Sequence, residues 1–436
     1  MRGTHSTATS RRPTGCTGCS NACRAGDPTP RFRKRAARPM REVWITGIGV
    51  VSALGSGFDA HADAVREMRS GLAGHALFDG QEPDPCMCGI VPPEILSASI
   101  EESAHDRCEL LLDQAIGQAL GHAGLYRGCN ADVIAGTTLG NMHGGTRYYR
   151  GIHGGEEASP DLIRHFIPST AIESVIRRHE IRGMHQTVCS ACASASGALG
   201  RAFRRIRSGR CTRAMAGGVD ALSPFVVAGF NSLRLVSSSR SRPFDRDRDG
   251  LNPGEGAAML VLESAKEARE RGARPLAKIA GFGEALEAYH YTRADPAGTG
   301  VTGALRDALS SSGMQASAID HVHMHGTGTR ANDRSEFVAC RSVFGEHLKD
   351  IPACSTKPMT GHTFGAAGAI NAVFVVTSLA RGLVPATLYC ENQDPEFAAL
   401  RLLRVPERVP GLATVASCAL GFGGEASVLI FSKADL

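Results

Sequence analysis

An α/β fold made of two similar halves is what this sequence predicts, and three observations predict it. Short apolar runs alternate with segments of helical periodicity from residue 43 onward, the pattern of strand and helix layers. The apolar run at 43–52, which contains Gly47 and Gly49, is echoed at 276–283 with Gly281 and Gly283. Later strands return in the same order: 132–135 is matched by 321–325, and 213–219 by 413–420. The echo is one of order rather than of residue identity. It divides the chain into an extension at 1–39, a first half at 40–273 and a second half at 274–436.

Residues 1–39 are rich in Arg, Thr, Gly and Pro and lack hydrophobic periodicity, which predicts disorder. Cys16, Cys19 and Cys23 are spaced C-x2-C-x3-C with no second ligand pair after them, so zinc is not expected there. The Arg-rich, acid-poor composition also suits an organelle transit peptide. The preferred reading is that translation starts at Met40. Six lysines against 42 arginines point to GC-rich coding, in which upstream frames tend to stay open.

Beyond Met40 the elements follow from local pattern. Residues 43–52 read as a buried strand running into a Gly-rich loop, and a helix follows at 60–68. Residues 72–104 carry Pro83, Pro85, Pro92 and Pro93 and read as irregular, and 105–124 as a helix. A strand at 132–135 ends at Gly136. The glycine-rich stretch 137–158, with Tyr148 and Tyr149, reads as a loop near a pocket or interface. Helix is expected again at 168–178 and 264–271, and strand at 213–219 and 257–262. Residues 242–250 form a turn-rich link between them, and 276–283 repeats the opening pattern.

The stretch 187–197 is where chemistry first shows. An apolar approach ends in cysteines, and small residues then open a helix. Leu199, Phe203 and Ile206 lie on one side of that helix, and Arg201, Arg204, Arg205 and Arg207 on the other. This places Cys192 on a tight strand-to-helix turn. Unpaired N–H groups and the helix dipole there favour thiolate over thiol, which makes a nucleophile. Cys189 and Cys192 also form C-x2-C, but no thioredoxin-like context surrounds them.

Bulk properties exclude several classes. Residues 1–39 carry a formal charge of +8, so the +5 of the whole chain leaves −3 for the rest, and nucleic-acid binding is not expected. No run of 18 apolar residues occurs, so no membrane span is expected. Fourteen cysteines without framework spacing, and no visible secretory signal, point to a reducing, cytoplasmic setting. His321, His323 and His325 alternate along one strand, which invites a metal. No carboxylate or cysteine stands at ligand spacing, so none is expected.

Three further motifs follow Cys192 in order. They are HGTGT at 325–329, followed by Asp333 and Glu336, then STKPMTGHTFGAAGA at 355–369, and GFGG at 421–424. Together with REVWITGIGVVSALG at 41–55 and the SRPFDRDRDG link, this series resembles the β-ketoacyl-acyl-carrier-protein synthases, the elongating condensing enzymes of fatty-acid and type II polyketide synthesis. The resemblance covers roughly residues 40–431.

The resemblance implies the thiolase-like fold, two α/β halves in five layers (αβαβα), and a dimer, either of identical chains or with a related synthase subunit. It implies that Cys192 takes the acyl group and that His325 and His362 drive decarboxylation of a malonyl thioester. The N–H groups of Cys192 and Phe422 would form the oxyanion hole, with Phe422 also gating access. Lys357 and Glu336 would orient the histidines, and Thr327, Thr329, Gly423 and Gly424 would border the substrate. Substrates would arrive on the phosphopantetheine of an acyl carrier protein, and no other cofactor is implied. The arginine face of the Cys192 helix, with Arg66 and Arg69, is either a solvated surface or a dock for that acidic carrier.

The sequence departs from the family pattern at Glu425-Ala426, where a Thr-Asn-like pair is usual, and at Pro358 and Phe364. Partner subunits that shape a sister enzyme's pocket belong to the same family and typically lack the cysteine. A non-catalytic, chain-length-factor-like subunit is therefore the alternative reading.

Overall fold

The computed structural model describes residues 40–75, 86–96, 106–140, 142–155 and 159–434. The extension at 1–39, with its expected disorder and its three cysteines, lies outside them, as do parts of 72–104.

Ten strands follow one another across the central sheet. The first half contributes β1 (Val43–Ser52), β2 (Asp132–Gly136), β3 (His185–Val188), β4 (Arg213–Asp220) and β5 (Gly256–Ser264). The second contributes β6 (Ala277–Leu286), β7 (His321–His323), β8 (Ala353–Cys354), β9 (Thr414–Leu420) and β10 (Glu425–Ser432). Read outward from the middle, the first half runs β1-β5-β4-β2-β3 and the second β6-β10-β9-β7-β8. Both halves follow one rule: the first strand lies innermost, then the fifth, fourth, second and third. The halves join where β1 pairs with β6 through Val43–Ile279, Trp44–Lys278 and Ile45–Ala277.

Helices fill three layers. Outside the first half lie α1 (Arg107–His122) and α2 (Ser169–Arg178). Between the halves lie α3 (Ser194–Arg207) and α6 (Ala367–Arg381). Outside the second half lie α4 (Thr299–Ser312) and α5 (Arg330–Phe344). Each of the three helix layers packs on the sheet through its own apolar core. The stretch Phe364–Arg381 is long and apolar enough to cross a membrane, but 89% of it is buried between the halves. Its apolarity serves the core.

Several expectations are corrected. The glycines of the two echoed runs sit inside strands, not in loops. A Cβ on Gly47 or Gly49 would lie 2.5 Å and 1.9 Å from the Ala119 and Ala115 carbonyl oxygens of α1. A Cβ on Gly281 or Gly283 would meet the Ala308 and Ala304 oxygens of α4 at 2.4 Å and 2.0 Å. The paired glycines therefore let one helix per half lie directly on its innermost strand. The stretch 137–158 contains a helix, Met142–Gly154. Asp106 caps α1 through Oδ1 to Cys108 N and binds Gly144 N through Oδ2, while Tyr149 packs on Phe166 at 5.7 Å. Those tertiary contacts outweigh the poor helix propensity of the glycines. Within 72–104, Leu72–His75 and Cys86–Gly89 pair as an antiparallel ribbon.

The central helices touch where Gly368 meets Ser196. A Cβ at Gly368 would lie 2.2 Å from Ser196 Oγ and 2.7 Å from its backbone N. Gly368→Val should lower stability by about 3 kcal/mol, at the upper end of overpacking costs, as measured by denaturant unfolding. A variant as stable as the parent would contradict close packing at this point.

Candidate active site

Cys192 stands at the end of a strained turn. β3 stops at Val188, and Ala191 takes φ 45°, a left-handed conformation that a non-glycine residue adopts at a cost. Ser194 holds the turn: its Oγ accepts from Ser190 N at 2.8 Å and donates to Ala191 O at 2.6 Å. Helix α3 starts at Ser194 with no side-chain cap. Cys192 is thus just ahead of the helix N-terminus, as expected, but it is only 5% exposed. Burial pushes its thiol up to about 12, with Lys357 pulling in the opposite direction. The resting group is the thiol, because desolvation of the anion outweighs the neighbouring cation.

His325 follows β7 in a loop held by two buried carboxylates of α5. Glu336 accepts from His325 N at 2.5 Å and Gly326 N at 2.8 Å. Asp333 accepts from Thr327 N, Gly328 N and, from the first half, Phe244 N. Lys357 Nζ donates to the His325 carbonyl and lies 3.3 Å from His325 Nδ1. An ammonium can only donate, so Nδ1 accepts and the ring proton sits on Nε2. Burial holds His325 well below its ordinary range, and Lys357 and His362 add to this. Burial also brings Lys357 down to about 8 against the pull of Glu336, and raises Glu336 to about 7 against its backbone donors.

His362 enters from the loop after Lys357–Thr360. Its backbone is fixed on both sides, His362 N to Asn252 O at 2.7 Å and Gly254 N to His362 O at 2.9 Å. Its ring lies 5.3 Å from that of His325, nearly perpendicular to it. Its Nδ1 is buried with no hydrogen-bond partner among the described residues. Burial, then Lys357, keeps it neutral.

Cys192, His325, His362 and Phe422 line one cavity of about 540 Å³, with Thr327, Thr329, Gly423 and Gly424 on its walls. The structure therefore brings together the nucleophile from the first half and both imidazoles from the second. Phe422 stacks on Phe230 at 5.5 Å, and Phe230 packs on Phe364 at 5.2 Å. Phe364 itself is fully buried, so it serves the packing of this aromatic wall rather than lining the cavity. Glu425 also borders the cavity. Burial and then Glu284 raise its carboxyl to about 7, while Arg201 acts against them.

The arginine face of α3 is largely engaged within the protein. Arg201 reaches Glu284 at 3.0 Å, Arg205 reaches Asp132 at 2.7 Å, Arg207 donates to Ser311 O, and Arg204 covers the Phe282 ring. Arg69 donates to Leu54 O and Ala60 O, and Arg66 pairs with Asp63. Exposed arginines stand instead at the cavity rim: Arg234, Arg293 and Arg330.

Sequence reading missed Asp220 and Asn252. Asp220 accepts from Thr137 Oγ1 at 2.6 Å and from the N–H groups of Thr138, Leu139 and Gly365, tying the first half to the His362 loop. The only signal for it was an acid directly after a buried GGV strand end. Asn252, just after the turn-rich link, accepts from Ser241 N and donates to Ser239 O, which shapes the support under His362.

A cysteine and two neutral imidazoles in one cavity, contributed by the two halves of a duplicated α/β fold, define a thiol-dependent acyl-transfer enzyme of the thiolase-like class. Residues 40–268 match the family model "Beta-ketoacyl synthase, N-terminal domain" and residues 276–391 the model "Beta-ketoacyl synthase, C-terminal domain". The chain belongs to the β-ketoacyl synthase family. Among its relatives, 3-oxoacyl-[acyl-carrier-protein] synthase 2 of Synechocystis is 32% identical over 410 residues, which are 90% of this chain and 98% of that protein. The tetracenomycin polyketide synthase ketoacyl synthase alpha subunit of Streptomyces glaucescens is 30% identical, over 90% and 97%. A solved β-ketoacyl synthase from Burkholderia phymatum superposes with a TM-score of 0.82 at 30% identity, covering 91% of this chain and all of that one. The ishigamide ketosynthase/chain length factor gives 0.84 at 29% identity over the same shares.

Two outcomes are expected. Alkylation of Cys192 by iodoacetamide should speed up about tenfold per pH unit between pH 6 and 7.5, because only the rare thiolate reacts. A flat profile would mean that the thiolate is already the resting form. For Glu425, a folded-state value raised from 4.5 to about 7 makes ionisation costly. That cost develops as pH rises through this window and persists above it. Glu425→Gln should therefore raise the melting temperature at pH 8 and leave it nearly unchanged at pH 4.5. Equal effects at both pH values would contradict the shift.

Proposed function

We propose that this chain forms carbon–carbon bonds between an acyl group held on Cys192 and the enolate of a malonyl group, both delivered as thioesters on an acyl carrier protein. The observation that carries the reading is the shared cavity: one thiol and two imidazoles facing one small volume. In the first step the Cys192 sulfur attacks the acyl thioester. The carrier's thiol leaves with the proton that Cys192 gives up, so the exchange is balanced.

In the second step the malonyl thioester loses CO2. The C–C bonding pair becomes the enolate, whose oxygen takes hydrogen bonds from His325 Nε2–H and from His362. Lys357 fixes the first of these donors by donating to Nδ1, the other ring nitrogen. The enolate carbon then attacks the acyl carbonyl, and the N–H groups of Cys192 and Phe422 stabilise its oxyanion. The Cys192 sulfur leaves as thiolate when that intermediate collapses and takes up a proton from solvent, which restores the resting thiol. Both imidazoles are neutral, so they act as hydrogen-bond donors and not as acids. In this scheme the carrier's phosphopantetheine brings both substrates and no further cofactor takes part.

Thr327, Thr329, Gly423 and Gly424 flank the path to Cys192, and Phe422 gates it. The rim arginines Arg234, Arg293 and Arg330 are placed to meet the anionic arm of the carrier. Among solved relatives, one ketosynthase is seen with its type II acyl-carrier protein and another in complex with its chain length factor. These support a carrier and a subunit partner, either a second copy of this chain or a related synthase subunit. The non-catalytic alternative is disfavoured by the presence of Cys192 itself. The described cysteines are all free, which suits a reducing, cytoplasmic setting.

Cys192→Ala should abolish condensation while malonyl decarboxylation continues. His362→Ala should reduce CO2 release by about two to three orders of magnitude, the usual cost of losing one such donor. Labelled CO2 and product mass, measured with malonyl and acyl carriers, check both. Continued elongation by the Cys192 variant, or undiminished CO2 release by the His362 variant, would overturn the assignment.

A further inference from the structure

A second cluster of chemistry-bearing side chains lies behind His325, and the mechanism does not use it. His321 and His323 are two residues apart on β7 and so share a face. Cys354 of β8 pairs directly with His323 in the parallel ladder. Its Sγ lies 3.7 Å from His321 Nε2 and 3.7 Å from His323 Nδ1. All three side chains are fully buried, and their ligand atoms lie within 4.8 Å of one another. The sequence lacked a third ligand for these histidines because Cys354 is 31 residues further along than His323. The fold supplies it from the neighbouring strand, while His325 turns away to the cavity.

We propose that His321, His323 and Cys354 form a metal site that takes a soft monovalent cation, Cu(I), in a three-coordinate arrangement of two nitrogens and one sulfur. The geometry fits. With metal–sulfur near 2.3 Å and metal–nitrogen near 2.0 Å, sulfur and nitrogen stand roughly 3.5–3.8 Å apart between tetrahedral and trigonal angles. The outer nitrogens are already engaged as in metal-bound imidazoles, which hydrogen-bond to protein oxygens. His321 Nδ1 is 2.8 Å from Pro352 O, and His323 Nε2 is 3.1 Å from Thr356 Oγ1. The His321 contact requires Nδ1–H, which leaves the Nε2 lone pair aimed at the sulfur. The His323 ring is held by the stacked Phe374 ring at 6.3 Å.

Charge selects the ion. The site has no solvent exposure, and a buried net charge is costly. Cu(I) with one thiolate and two neutral imidazoles is neutral, whereas Zn(II) would leave +1 on a ligand set that contains no carboxylate. Thiolate and imidazole also suit Cu(I) by softness. On binding, the Cys354 S–H bond breaks, the S–Cu bond forms and the proton passes to the buffer. No oxidation state changes. The ion would staple β7 to β8, the strands that lead into His325 and Lys357.

The test uses the full chain, refolded anaerobically with Cu(I) or Zn(II) because the site is closed, and then treated with a Cu(I) chelator. Copper content and X-ray absorption are read on the parent and on Cys354→Ser, Cys340→Ser and Cys192→Ser. The expected result is one copper per chain with one sulfur and two nitrogens around it. Retention should be kept in Cys340→Ser and Cys192→Ser and fall at least tenfold in Cys354→Ser, with a copper-dependent rise in melting temperature that this variant lacks. Overturning results are no retained copper, a sulfur-only shell, equal retention by Cys354→Ser, or preferential retention of zinc. If Cys354→Ser does not refold, the shell of the parent decides: absence of two nitrogens overturns the proposal.

Discussion

A buried ammonium next to an imidazole is the interaction on which this structure depends. Lys357 is buried against His325 and within the field of Glu336 and Asp333. Isolated, such a cation would be costly; with carboxylates close by it is tolerable. Its presence sets which nitrogen of His325 carries the proton, adds to the burial that keeps both catalytic imidazoles neutral and lowers, without overcoming, the resistance of Cys192 to ionisation. The carboxylates in turn accept backbone N–H groups and so hold the HGTGT loop in its shape. Catalytic geometry and loop conformation thus depend on the same few buried charges.

The duplicated fold makes that arrangement possible. Helices α3 and α6 pack between the two halves at the Gly368–Ser196 contact. Cys192 comes from the first half, ahead of α3. His325, Lys357 and His362 come from the second, ahead of α5 and α6. Asp220 crosses between the halves, binding the loop after β2 and the loop after His362. The active site is therefore a property of the interface between the halves rather than of either alone.

Much of this was legible in the sequence. Strands such as Val43–Ser52 show as continuous apolar runs because they are buried on both faces. The motif residues Cys192, His325, His362, Lys357 and Glu336 stand in glycine-rich surroundings that mark close backbone approach. What the sequence concealed were effects that need the third dimension. The glycines of β1 and β6 read as loop signals, although they clear space for helices more than 50 and 20 residues downstream. The Cys192 turn suggested a thiolate because the helix dipole is local and visible, whereas the depth of burial is not. The arginines of α3 could have met solvent or a carrier; their partners Glu284, Asp132 and Ser311 lie far away along the chain.

The central claim is that Cys192 is the covalent carrier of a chain that then grows. Its most direct test is a pulse and chase on the peptide that contains it. The protein is loaded with an acyl carrier, digested and weighed, and a second sample is first chased with malonyl carrier. The account predicts an acyl mass on Cys192 in the pulse, its disappearance in the chase, and the same acyl group two carbons longer as a β-ketoacyl carrier product. An adduct on any other residue, or one on Cys192 that the chase releases only as free acid, would contradict it.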